Sequence, residues 1–286
     1  MNLVLRPGDS RDVAECARIC FEAFSKIAHE HNFPSDVPHE AAAVGAFEVL
    51  LNHPAIHSVV AELDGRIVGS NFLDERSPVV APGPLSVDPA LQAGGVGRAL
   101  MRDVLARAAA HDGPGMRLVQ NAYHARTFEI YAGHLGFEFR EALACLQGPP
   151  IGGAVPGYEV RPATESDLAA CDDVCRKVHG VHRSGEVVDA LKAGTVRVSE
   201  HHGRITGYAT DLSFFGHAVG ETTEDIKALI MAAPEFGGPG ILVPASDSAL
   251  LQWCLRSGLK VNQLMNLMST GLYNQPAGAY LPSILY

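Results

Sequence analysis

Leu85-Ser86-Val87-Asp88-Pro89-Ala90-Leu91-Gln92-Ala93-Gly94-Gly95-Val96-Gly97-Arg98-Ala99-Leu100 is the stretch on which the reading of this chain turns. A strand-like run enters a cluster of glycines. A helix leaves it at once, with Leu100, Val104 and Ala108 along one stripe. Such a junction brings unpaired amides and the positive end of a helix dipole to one point. Glycines let that backbone approach a ligand closely, so the loop predicts a site for phosphate oxygens. The pattern GxxxxGK[ST] is absent, because no Lys-Ser or Lys-Thr follows the glycines. GxGxxG fails too, since Leu100 stands at its sixth position.

Upstream of the loop, residues 2–6 read as a strand, and Ser10 or Asp12 can cap a helix running to about Ala28. Residues 31–38 are loop by their prolines, and residues 40–51 are helical. Residues 58–63 and 66–72 alternate as strands, joined by Asp64-Gly65, a hairpin signal. Pro84 opens a further strand. Downstream come a helix at 97–110, a strand at 117–120, a helix at 125–135 and a strand at 137–146. The order predicts an α/β (α+β) fold, a mixed and mostly antiparallel sheet flanked by helices.

The chain also repeats itself. Residues 5–20 (LRPGDSRDVAECARIC) match residues 160–175 (VRPATESDLAACDDVC), aligning Arg6 with Arg161, Asp12 with Asp167, Cys16 with Cys171 and Cys20 with Cys175. Gly65-Arg66-Ile67-Val68-Gly69 returns as Gly203-Arg204-Ile205-Thr206-Gly207, and Leu135-Gly136-Phe137 more weakly as Ser257-Gly258-Leu259. Residues 148–157 form a Pro/Gly-rich linker. Two domains are therefore expected, at 1–147 and 158–286, each a copy of one fold. The second copy has no counterpart of the glycine loop. The apolar run 280–286 is expected to dock on protein, with the first domain as one candidate surface.

Val87-Asp88-Pro89 followed by Gln92-x-x-Gly95-x-Gly97 resembles the acetyl-CoA loop of the GNAT N-acetyltransferase family. Tyr131 and Leu135-Gly136-Phe137 are similar to that family's later helix and strand. The resemblance covers about residues 2–147 and implies a tandem member with an intact N-terminal copy and a degenerate C-terminal one. It implies acetyl-CoA as co-substrate, its pyrophosphate on the amides of Gln92, Gly94, Gly95, Val96, Gly97, Arg98 and Ala99. The pantetheine would pair with the backbone of Leu85, Ser86 and Val87. Tyr131 would act as general acid. The family's Asn ahead of the tyrosine falls on His124 counted from Tyr131, and on Ala125 counted from Gly136. Residues 131–136 carry one extra residue, so either the helix bulges or Tyr131 sits one step away. No glutamate stands in Leu85-Ser86-Val87, so the base is sought among Glu30, His29, His31, Asp74 and Glu75, with Glu30 assigned.

The implied activity is transfer of an acetyl group from acetyl-CoA to a primary amine by direct attack. The alternative is a non-catalytic acyl-CoA sensor or scaffold. The acceptor would be a small-molecule amine or a protein amine. In 286 residues, 22 basic and 32 acidic side chains give a net charge of −10, which disfavours nucleic acid as a partner. No 18-residue apolar window predicts a membrane span, and the first residues lack a secretory pattern, so cytoplasm is expected. The six cysteines show no metal-ligand spacing and are expected to be buried thiols; no metal is expected. A monomer or homodimer fits the reading.

Overall fold

Asp64 and Gly65 both take left-handed backbone, at φ 49° and 80°, and close the hairpin between β2 (Ile56–Leu63) and β3 (Arg66–Asp74). His202 and Gly203 repeat that turn at φ 53° and 74° between β9 (Arg197–His201) and β10 (Arg204–Ala209). The computed structural model describes residues 2–285 except 92, 93 and 112. Its contacts divide the chain into two compact units, Met1–Glu75 with Val79–Met116, and Arg76–Pro78 with Arg117–Tyr286.

In the first unit β1 (Leu3–Pro7) pairs antiparallel with β2, and β2 with β3. Strand β3 then pairs antiparallel with both β4 (Val79–Pro82) and β5 (Ser86–Val87). The single strand expected from Pro84 onward is thus two short ones. Successive residues of β2 and β3 point to opposite faces. Val60 and Phe72 join one core with Cys16, Cys20, Phe47 and Leu50 of α1 (Val13–Glu30) and α2 (Glu40–Asn52). Val59, Val68 and Leu73 join the other with Val96, Leu100 and Val104 of α3 (Val96–Ala110). The turn before α1 is capped by Asp9, whose side chain and that of Asp12 form a reciprocal box, rather than by Ser10.

The repeat has a physical basis in an ion-pair cluster that each copy builds alike. Arg6 forks onto Asp12 at 2.7 and 2.8 Å, and its Nε donates to Glu62 at 2.7 Å. Arg161 forks onto Asp167 at 2.8 and 2.9 Å, with Nε on Glu200 at 2.8 Å. Bidentate pairing fixes direction as well as distance, so each cluster sets how its first strand enters the following helix. The second copy runs β8 (Tyr158–Pro162), α5 (Leu168–His179), α6 (Ser184–Ala193), β9, β10, β11 (Ala218–Gly220), α7 (Thr223–Ala232), β12 (Ile241–Pro244), α8 (Ser248–Arg256) and β13 (Lys260–Gly271). Even the β-bulge recurs: the register skips Val68 in one copy and Thr206 in the other.

The division between units does not fall in the Pro/Gly stretch, and the cause is topological. Strand β6 (Gly115–Asn121) starts parallel to β4 in the first unit. From Arg117 on it belongs to the second, with α4 (Ala125–His134) and β7 (Glu138–Gln147). There the strand order is β6-β13-β7-β12. Cys145 of β7 faces Leu242 of β12 on one side and Gln263 of β13 on the other. The last strand of the first copy therefore completes the second copy's sheet, while β13 lies between two strands of the first. The run after β13 ends in β14 (Ala279–Leu281), which pairs with β11 inside the second unit. The tail expected to dock on protein pairs with its own copy, and its Tyr280 and Ile284 also share a core with Leu143 and Cys145 of β7 from the first copy.

Candidate active site

After β5 the chain closes two turns: Leu91 N–H donates to the Asp88 carbonyl at 2.8 Å, and Gly94 N–H to that of Leu91 at 3.0 Å. Gln92 lies outside the described residues. Gly95 then adopts φ 80° and heads α3 with no side-chain cap. A side chain at that φ is disfavoured by its own backbone, which is why the glycine is there. The first helical bond runs from Ala99 N–H to the Gly95 carbonyl at 3.1 Å. Among the described residues the amides of Val96, Gly97 and Arg98 consequently find no acceptor. Among the described residues a β-carbon on Gly97 would meet only Val87 Cγ2, at 3.5 Å. Arg98 is exposed and has no ion-pair partner among the described residues.

The approach to this loop is open along one strand edge. Val87 and Ser86 face Gly69 and Ser70 of β3, and the Ser70 and Ser86 hydroxyls lie 3.3 Å apart in the interior. Strand β4 pairs with β6 only at Val79 and Val80, and the chain leaves that line at Gly83, φ 123°. Among the described residues no strand covers the edge of β5 opposite β3. Leu85 stands half-buried just before it. An extended ligand with amide groups can pair there as an added strand would.

The other predicted residues fall elsewhere. Tyr131 is on α4 in the second unit, half-buried and edge-on to Phe137 with ring centroids 5.7 Å apart. Burial pushes its phenol up to about 12. The extra residue does not bulge the helix. It is taken up at the helix end, where Phe137 N–H reaches six residues back to the Tyr131 carbonyl, one more than the usual closure around a left-handed glycine. His124 is the N-cap of that helix, and its carbonyl accepts from Thr127 Oγ1 at 2.9 Å. Glu30 ends α1, exposed, 4.0 Å from Lys26. His29 and His31 are exposed as well, Asp74 is buried at the end of β3, and Glu75 is held by Arg107 at 2.5 and 2.7 Å. All six cysteines are buried thiols, not disulfides. No group of three or more His, Cys, Asp or Glu among the described residues is gathered as for a metal, and no described helix is long and apolar enough to cross a membrane.

Residues 21–137 match the model of the acetyltransferase (GNAT) family. The chain carries a GNAT-family domain. Solved structures extend the likeness in fold to nearly the whole chain. A provisionally named acetyltransferase from Pyrococcus horikoshii superposes with a TM-score of 0.71 at 16% identity, over 97% of this chain and 94% of that one. A GCN5-related N-acetyltransferase from Sphaerobacter thermophilus gives 0.59 at 13%, over 95% and 96%. A tandem GNAT protein of the clavulanic acid biosynthesis pathway gives 0.56 at 14%, over 94% and 98%. No curated protein sequence matches it. The fold is two GNAT-like copies.

The GNAT comparison gives the second copy its meaning. Gly207 faces Gly220 as Gly69 faces Val87, so β11 corresponds to β5. In place of a glycine loop, Glu221 and Thr222 lead straight into α7. There Thr222 and Asp225 cap the helix reciprocally, with the Thr222 amide and hydroxyl on Asp225 at 3.0 and 2.8 Å. The helix end that is uncapped among the described residues of the first copy is closed by this box in the second, with the Asp225 amide on Thr222 Oγ1. Gly69 escaped the sequence reading as a site residue, although it closes the repeated Gly-Arg-Ile-x-Gly. A β-carbon on it would lie 2.6 Å from the Ser86 carbonyl oxygen, so the glycine sets how closely β5 sits on β3.

Proposed function

We propose that this protein is an acetyl-CoA-dependent N-acetyltransferase whose first copy holds the cofactor. The observation that carries the reading is the adjacency of the uncapped amides Val96–Gly97–Arg98 and the uncovered edge of Ser86–Val87. The residues fit such a ligand. A diphosphate needs converging N–H donors at a positive helix end, and a pantetheine arm needs a strand edge beside it. Exposed Arg98 adds a fixed cation within the first turn of the helix.

The acetyl group supplied by the bound thioester passes to a neutral primary amine by direct attack. A backbone N–H near Val87 serves as the oxyanion donor. Tyr131 is assigned as the proton donor to the departing thiolate on the family resemblance alone. Its raised phenol stays protonated over the whole working pH range, as a donor must. Glu30, exposed at the end of α1, is assigned as the base and acts through water. The acceptor is a small-molecule amine or a protein amine, and the site of action is the cytoplasm.

Calorimetric titration of acetyl-CoA into the intact chain tests the reading, with an amine panel run beside it. One site per chain, with CoA released in the presence of an amine, supports it. No binding overturns it, and binding without transfer to any amine leaves an acyl-CoA sensor.

A further inference from the structure

The two copies differ at one edge in a way that their registers make directly comparable. In the first copy, among the described residues, β5 pairs with β3 alone. In the second, the equivalent strand β11 pairs with β10 on one side and antiparallel with β14 on the other, Ala218 facing Leu281, Val219 facing Tyr280 and Gly220 facing Ala279. Strand β14 packs against β12 as well, and Ala279 and Leu281 share a core with Ile241 and Val243. It thus lies where β11 and β12 would otherwise part, in the place that corresponds to the open edge of β5.

The seating is specific. Ala277 N–H donates to the Val178 carbonyl at 2.9 Å, and Asn274 Nδ2 to that of His179 at 3.0 Å, both at the end of α5. Beyond the strand, Ile284 N–H donates to the Phe214 carbonyl at 2.9 Å. A β-carbon on Gly278 would come within 2.5 Å of the Gly220 carbonyl oxygen, so the segment enters the groove with no room to spare. Ala279, Tyr280 and Leu281 are all buried.

We propose that β14 is a resident strand ligand: the chain fills the second copy's cofactor groove with its own segment 277–284, making that copy a closed support that takes no acyl-CoA. The equivalence to an acyl-CoA groove rests on the function proposed above; the occupancy of the edge does not. Two locks act together. Strand β14 takes the backbone edge that a pantetheine arm would need, and the Thr222–Asp225 box, with the Asp225 amide on Thr222 Oγ1 and its carboxylate folded back on Thr222, closes the helix end that a diphosphate would need.

Hydrogen exchange on the intact protein without ligand reads the first lock, independently of the acyl-CoA reading. The amides that face across the β11–β14 edge, those of Ala218, Gly220, Ala279 and Leu281, are expected to exchange at least ~100-fold slower than that of Val87, which faces the edge of β5 opposite β3. Equal rates at the two edges would overturn the proposal. A chain ending at Gln275 is then mixed with the synthetic peptide Pro276–Tyr286. Saturable rise of its melting temperature, abolished by Leu281→Asp in the peptide, is expected; no rise with either peptide overturns it. Should the shortened chain not fold, Gly278→Val in the full chain replaces it. Its β11 amides should then lose at least ~10-fold in protection, while those of β2 are unchanged. Unaltered β11 protection there refutes the seating. Two equivalents of acetyl-CoA bound per intact chain would also refute it.

Discussion

Gly69→Ala tests the architecture of the first copy at its tightest point. The new β-carbon would stand 2.6 Å from the Ser86 carbonyl oxygen, 3.1 Å from Leu100 Cδ1 and 3.3 Å from Val87 Cα. Leu100 can turn aside, but the carbonyl moves only with its strand. Carbon-to-oxygen contact settles at about 3.3 Å, so β5 must retreat from β3 by roughly 0.7 Å. Overpacking of that kind costs about 1–3 kcal/mol, and we expect about 2 here. The same retreat shifts the ligand-bearing edge, so acetyl-CoA affinity should fall on the order of 10- to 100-fold. Urea unfolding and calorimetric titration measure the two effects on one preparation. Gly45→Ala is the control: it is exposed in α2 with nothing within 4 Å, and should stabilise by about 0.5–1 kcal/mol. If Gly69→Ala unfolds at or above the wild-type midpoint while Gly45→Ala is stabilised, β5 is not held that close to β3 and the reasoning fails.

Gly97→Val places a branched side chain among the bare amides of α3 with only Val87 Cγ2 to meet, so the protein should stay folded by circular dichroism and lose acetyl-CoA binding by at least ~100-fold; unchanged affinity would remove the loop from the site. Tyr131→Phe should lower kcat while leaving acetyl-CoA affinity nearly unchanged, and the wild-type rate should show no alkaline fall from this group below about pH 11. An unaltered kcat would place the proton donor elsewhere. His217 is buried beside Tyr208 and Glu186, at 3.0 and 3.2 Å, and burial holds its imidazole down to about 4. From pH 6.5 to 4 the unfolded chain therefore takes up a proton that the folded one refuses. Stability is full above pH 6.5 and drops by at most about 3 kcal/mol on acidification through that window. Denaturation of wild type and His217→Gln at pH 7.0, 5.5 and 4.5 checks it; parallel losses in both would exonerate His217.

What was legible in the sequence was local. Arg6 and Asp12 lie six residues apart and build a cluster with few alternatives, so their recurrence as Arg161 and Asp167 marks a repeated fold. Gly95 advertises a left-handed turn, and Asp64-Gly65 a hairpin, because few residues tolerate those angles. The break between β4 and β5 left no comparable mark beyond Gly83-Pro84. Strand exchange was invisible, since alternating runs such as 138–147 and 260–271 do not say which partner they pair with. The same holds for β14, whose apolar composition predicted burial without naming a surface. At the site, the loop and its strand could be read from glycines, whereas Glu30 rested on position alone and the structure gives it only a solvent-facing pair with Lys26.

The exchange of β7 and β13 bears on the order of events at the ribosome. Strand β7 is made more than a hundred residues before the strand that lies beside it, a delay of several seconds at about 5–20 residues per second. During that interval the nascent first half presents an unsatisfied sheet edge, a template for pairing with another chain. Contacts of such long sequence separation also close slowly. Expression of either half alone would make the exposure permanent, so these two copies of one fold are made to be synthesised as a single polypeptide.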